Sequence, residues 1–242
     1  MGVDRAGFEP AASCLRNRRS SGLIYRPTPT DSQRDFLFKA SFPPMPVKAV
    51  IFDLDDTLVE NRESFSSMRE RYERRLKEEG YPPPGEGPGL LEGVEELCRR
   101  IGDSRPMKLL EELEMERAET SSPGEGAEEL LRWLKERGIK VGVVTRNSRR
   151  AALRALGPMA DLVDVLLTRD DTEVVKPHPG QILRALEILG VRGEECVVVG
   201  DYVYDVEAAR GAGCIAVCLG GRAKGDFNIE RLEELKNLLQ KI

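Results

Sequence analysis

After residue 122, apolar strand-like runs alternate with amphipathic helices across short connections, and this alternation constrains the fold more than any other feature of the chain. A helix over 126–137 ends at Gly138, a residue suited to the left-handed geometry that often follows a helix, and the strand Ile139 to Val144 comes next. The pattern then repeats. Helix 148–156 precedes the strand Val163 to Leu167, helix 179–189 precedes Cys196 to Val199, and helix 205–211 precedes Cys214 to Leu219. An amphipathic helix over 229–241 closes the chain. Strands joined through helices run parallel and are covered on both faces. The first strand fits this scheme, because Val47 to Phe52 is continuously apolar rather than alternating. The expected fold is α/β, a doubly wound parallel sheet.

One segment interrupts the alternation. Residues 61–121 are helical in pattern and rich in charge, with Phe65, Met68, Tyr72 and Leu76 spaced along one helix face. "YPPPGEGPG" at 81–89 breaks the pattern as a loop. Leu90, Leu91, Val94, Leu97, Cys98 and Ile101 define a second helix, Leu109, Leu110 and Leu113 a third, and "SSPGEG" at 121–126 a hinge. The expected organisation is a core of residues 47–60 and 122–242 with a small α-helical cap, 61–121, inserted after the first strand.

Residues 1–46 have neither helical nor strand periodicity and no apolar signal segment. They read as a disordered tail. Their "GFEP" also back-translates into the T-arm of a transfer-RNA gene, and the longer "AGFEPAASCLRNRRSSGLIYRPT" resembles a translated tRNA gene. A mis-started, non-native extension is therefore expected, with Met45 as the true start.

Charge and cysteine usage exclude several classes. The net charge is −5, with +3 in residues 1–46 and −8 in the remainder, so the body is acidic and has no basic stripe for nucleic acid. The five cysteines form no CxxC, and three of them, Cys196, Cys214 and Cys218, lie in apolar runs as small hydrophobes would. A reducing, cytoplasmic location is expected. No apolar run approaches the roughly 18 residues needed to cross a bilayer, so no membrane partner is expected.

The ends of the strands carry the chemistry. In open parallel sheets ligands bind beyond the carboxyl ends of the strands. There the first strand delivers "DLDDT", with Asp53, Asp55 and Asp56; the next delivers Thr145, Arg146 and Asn147; "VVKPHP" supplies Lys176; and "GDYVYD" supplies Asp201 and Asp205. Several carboxylates at close range cannot all stay ionised without a cation. Hard oxygen ligands that leave room for water and a phosphate oxygen suit Mg²⁺. Strand alternation puts Asp53 and Asp55 on one side, so one carboxylate can attack phosphorus while the other manages protons.

With "DLDDT", Thr145, Lys176 in "KPHP" and "GDYVYD" in this order, residues 47–242 resemble a haloacid-dehalogenase (HAD) superfamily phosphatase with a small helical cap, similar to the phosphoglycolate phosphatase branch. The resemblance implies a Rossmann-like core with Asp53 as the nucleophile of an aspartyl-phosphate and Asp55 as acid and base. It implies Mg²⁺ held by Asp53, the Asp55 carbonyl and Asp201, with Asp205 nearby. Thr145 and Lys176 would hold phosphoryl oxygens, and Thr57 would brace the first loop. Apart from the resemblance, Arg146 is a further candidate for binding the substrate phosphate, and Asn147 could also contact substrate. Tyr202 stands where the family often has Ser or Thr.

Other polar residues carry plainer expectations. Asp56 suits a loop cap, His178 between two prolines a loop position, and Asn147 or Ser148 the cap of the following helix. Arg62, Arg69, Arg71, Arg74 and Arg75 read as solvated helix faces beside glutamates, one or two of which could reach substrate. "GGRAKGD" at 220–226 lacks Walker A spacing. The expected activity is Mg²⁺-dependent hydrolysis of a small phosphorylated metabolite, such as phosphoglycolate or a sugar phosphate. A phosphomutase of the same superfamily is the near alternative. A phospho-accepting signalling receiver is a distant one, since it lacks both the D-x-D and the cap.

Overall fold

The computed structural model describes residues 47–85 and 89–242; the expectations for residues 1–46 lie outside them. The central strand is β1, Ala49–Phe52. It pairs in parallel with β4, Lys140–Val144, on one side and with β6, Cys196–Gly200, on the other, so that Phe52 lies opposite both Val143 and Val199. Strands β5 (Val165–Leu167), β7 (Ile215–Leu219) and β8 (Phe227–Ile229) complete a six-stranded sheet in the order β5-β4-β1-β6-β7-β8, with every pairing parallel.

The apolar run of β1 is explained by burial on both faces. Val50 and Phe52 face a core shared with Leu130, Leu131 and Leu134 of the helix Ala127–Glu136. Ala49 and Ile51 face the opposite core, beside Ile182, Ala185 and Leu189 of the helix Gly180–Leu189 and Ala208 and Ala209 of the helix Val203–Gly211. All four β1 side chains are fully buried. Burying this much apolar surface, at about 25 cal/mol per Å², makes β1 the hub of the sheet.

The helical insertion packs around its own core. Helices α1 (Phe65–Glu78), α2 (Leu90–Ile101) and α3 (Arg105–Thr120) enclose Met68, Tyr72, Leu76, Leu90, Val94, Leu97, Leu109, Leu110 and Leu113. Tyr72 donates its hydroxyl to the Pro106 carbonyl at 3.1 Å, which satisfies the one polar atom of that buried ring. A short antiparallel pair, β2 (Val59–Glu60) with β3 (Ser122–Pro123), joins the two chain connections between insertion and core. In chain order the remaining helices are α4 (Ala127–Glu136), α5 (Arg149–Leu156), α6 (Gly180–Leu189), α7 (Val203–Gly211) and α8 (Glu234–Leu239).

Two expectations are corrected. The helix expected over 229–241 is confined to α8, because residues 227–229 instead extend the sheet as the parallel edge strand β8. Phe65 belongs to α1 but is 49% exposed, so the buried face of that helix begins at Met68. No described helix is long and apolar enough to cross a membrane.

Candidate active site

The ladder of β1 continues one residue further, where Asp53 N–H donates to the Val199 carbonyl at 2.8 Å. This fixes the Asp53 side chain beside the end of β6, where Asp201 follows Gly200. Asp205 reaches the same point from the first turn of α7, its Oδ2 accepting the Tyr202 N–H at 3.1 Å. Gly200 is required by this approach, since a Cβ there would lie 2.3 Å from the Asp205 carboxyl carbon. One oxygen each of Asp53, Asp201 and Asp205 fall within 4.8 Å of one another.

Lys176 completes the cluster. Its ammonium is 2.6 Å from Asp53 Oδ1 and 2.7 Å from Asp205 Oδ1, and its side chain is only 3% exposed. Three carboxylates against one buried ammonium leave uncompensated negative charge. Burial, followed by the charges of Asp205 and Asp55, pushes Asp53 up to about 8 despite the pull of Lys176. Burial with Asp205 and Asp56 pushes Asp201 up to about 6, against the pull of Arg222 and Lys176. Lys176 is held above its usual range because Asp205 and Asp53 outweigh the cost of burying it. A close set of oxygen donors that would otherwise retain protons is what a hard divalent cation fits.

The other strand ends bring Thr145, Arg146 and Asn147 after β4. Thr145 is 1% exposed, and its Oγ1 accepts the Asn147 N–H at 3.2 Å. Ser148 is the N-cap of α5, accepting the Ala151 N–H at 3.4 Å. Asn147 has a different task, donating Nδ2 to Asp55 Oδ2 at 2.6 Å. Arg146 was expected to contact substrate phosphate, but the structure gives it other partners. Its Nη2 donates to both Glu92 oxygens at 2.7 and 2.8 Å, its Nη1 donates to the Lys176 carbonyl, and the guanidinium lies 5.1 Å from the Tyr204 ring centre. Arg146 therefore ties α2 to the core.

The smaller expectations divide. Asp56 adopts φ 54°, a left-handed loop conformation that Asp tolerates better than most residues. His178 accepts the Gly180 N–H at 3.0 Å in its loop. Arg69, Arg71 and Arg75 pair with Glu73, Glu63 and Glu116. Thr57, expected to brace the first loop, has a buried hydroxyl without a hydrogen-bond partner.

Three residues at or near the site were not singled out from the sequence. Gln181 is fully buried; its Nε2 donates to the Thr145 and Thr168 carbonyls at 3.2 and 3.0 Å, and its Oε1 accepts the Lys176 N–H at 3.3 Å. One amide thus sets the backbone of both Thr145 and Lys176. Arg117, 6% exposed, reaches Asp55 from α3 at 3.0 Å. Arg222, in the 220–226 loop, lies 2.8 Å from Asp201. A signal existed for Arg117, which continues the stripe Leu110 and Leu113 at helical spacing and places a charge where an apolar residue was due.

Comparison with known proteins identifies the family and the fold. Residues 47–213 match the family model for haloacid dehalogenase-like hydrolases. The chain is 31% identical over 222 residues to the pyrophosphatase PpaX of Bacillus cereus (strain AH820), an alignment covering 81% of this chain and 97% of that protein. Among solved structures, it is similar to a HAD phosphatase from Thermococcus onnurineus, with 28% identity, TM-score 0.57, and coverage of 79% of this chain and 97% of the other. A predicted phosphoglycolate phosphatase from Haemophilus somnus 129pt shares the fold with TM-score 0.63 at 21% identity, covering 81% of this chain and 99% of that one. The chain belongs to the haloacid dehalogenase-like hydrolase family.

Proposed function

We propose that the protein is a Mg²⁺-dependent phosphatase of a small phosphorylated metabolite, acting through an aspartyl-phosphate on Asp53. The observation that carries this reading is the convergence of Asp53, Asp201 and Asp205 with the Lys176 ammonium between two of them. Asp53, Asp201 and Asp205, with the Asp55 carbonyl, would hold Mg²⁺. When bound, the ion would neutralise negative charge developing on the phosphoryl group.

The remaining work falls to the chain itself. An Asp53 oxygen attacks phosphorus as the ester P–O bond breaks, and the Asp55 carboxyl gives its proton to the departing oxygen. Asp55 then takes a proton from the water that attacks the aspartyl-phosphate, releasing phosphate and restoring Asp53. Lys176 keeps Asp53 oriented and balances charge on the phosphoryl oxygens, and the Thr145 hydroxyl holds one of those oxygens. Residues 61–121 act as a cap over the strand ends, excluding water and selecting the leaving group.

A panel of phosphoglycolate, sugar phosphates, nucleoside monophosphates and, given the PpaX relative, pyrophosphate tests this reading when assayed with and without Mg²⁺. Phosphate release that needs Mg²⁺ and is lost in Asp53→Asn is expected. Release unaffected by either change would remove the reading, and transfer of the phosphoryl group back to substrate would turn it into a mutase.

A further inference from the structure

Asp55 is held at both carboxylate oxygens by groups of different origin. Its Oδ2 accepts from Asn147, which follows β4 in the core, at 2.6 Å. Its Oδ1 accepts from Asn61, in the first connection to the helical insertion, at 2.9 Å and from Arg117 Nη1 at 3.0 Å. Arg117 sits near the end of α3, just before the second connection. Its Nε donates to the Glu63 carbonyl of the first connection at 3.2 Å, and its Nη2 lies 3.8 Å from Asp56.

A guanidinium that is 6% exposed is costly to desolvate unless its donors are well placed. Here one planar group spans both connections and ends on the carboxylate two residues beyond Asp53. A tie between the connections alone would not need to end on that carboxylate. We propose that Arg117 is a positioning residue for Asp55, aligning its carboxyl with the ester oxygen and making that alignment depend on the cap being seated. This rests on the phosphatase reading above, in which Asp55 delivers the proton to the leaving oxygen as the P–O bond breaks. A misaligned Asp55 then penalises leaving groups that need a proton and spares those that depart as stable anions.

The test compares kcat/KM for 4-nitrophenyl phosphate, whose phenolate leaves unprotonated, with that for an alkyl phosphomonoester from the panel that the parent hydrolyses. Arg117→Met is expected to lower the alkyl value about 10²-fold, the scale of a lost general acid, and the nitrophenyl value by less than about 10-fold on the same scale. Arg117→Lys is expected to recover part of the gap. Asn61→Ala, at a less buried position on the same Asp55 oxygen, is expected to act in the same direction with a smaller effect, and it decides the matter alone if Arg117→Met does not fold. Equal losses on both esters, or parent-like rates on both, overturn the inference. A parent active on neither ester removes the phosphatase reading and this inference together.

Discussion

The ammonium of Lys176 sits 2.6 Å from Asp53 Oδ1, although the two residues are 123 positions apart in sequence. The same nitrogen is 2.7 Å from Asp205, so a single buried cation separates two carboxylates that would otherwise repel each other. Removing Lys176 therefore exposes the electrostatic cost of the site. Lys176→Met is expected to lose activity and to destabilise the Mg²⁺-free protein by about 3–5 kcal/mol, the usual consequence of leaving buried charge unpaired. Denaturant unfolding measures the second effect, and a variant as stable as the parent would contradict it.

Asp53→Asn should behave in the opposite way toward stability. The substitution keeps the shape but removes a carboxylate that burial already disfavours in its charged form. The variant is expected to stay folded, with a melting temperature no lower than the parent's, while kcat falls roughly 10³-fold or more. Phosphate-release kinetics beside a thermal melt check both halves.

Divalent cation should stabilise the fold through the same carboxylates. A ligand that binds only the native state at 100 times its Kd adds about 2.7 kcal/mol, worth several degrees in a protein of this size. Adding Mg²⁺ is expected to raise the melting temperature of the parent. In Asp201→Asn the shift should need distinctly higher Mg²⁺, because one member of the trio is lost. An unchanged titration in that variant would place the ion elsewhere.

Glu114 and Arg169 give a pH prediction away from the carboxylate trio. Both side chains are 7% exposed, and Glu114 of α3 also accepts the Ser148 N–H of the core at 3.2 Å. Burial raises the Glu114 carboxyl above its usual 4.5, with Arg169 and Ser148 opposing the rise. The native state therefore holds this proton to higher pH than the unfolded chain does. Stability from this group is fully present below about pH 4.5 and declines as pH rises through the raised native value. Unfolding free energies from pH 4.5 to 7 should fall less steeply in Glu114→Gln than in the parent, even though that variant is less stable throughout.

The link between Arg146 and Glu92 predicts a split in kinetic constants. Since Arg146 joins α2 to the Lys176 carbonyl, Glu92→Gln should weaken seating of the insertion without touching the carboxylate trio. KM is expected to rise several-fold while kcat changes less. A fall in kcat alone would give Arg146 a direct part in the chemistry.

How much of this was legible beforehand depended on the range over which each signal acts. The Asp53 and Asp55 pair, the strand ends and the separate helical insertion could all be read locally. Residues 227–229 could not, because a three-residue edge strand is defined by its neighbour β7 rather than by its own periodicity. Gln181 was hidden inside an ordinary helical pattern, and only the meeting of three loops around α6 explains a fully buried amide there.

By itself the sequence determined which segments would be buried, since apolar runs leave water wherever they can, and it placed acids, Thr145 and Lys176 at the ends of those segments. Only the tertiary structure decided partners. Parallel crossovers set β1 between β4 and β6, and that adjacency turned scattered charges into one cluster. It also sent Arg146 to Glu92 and Arg117 to Asp55. A charged side chain pairs with whatever opposite charge lies within a few ångströms in a poorly solvated place, and linear spacing does not encode that distance.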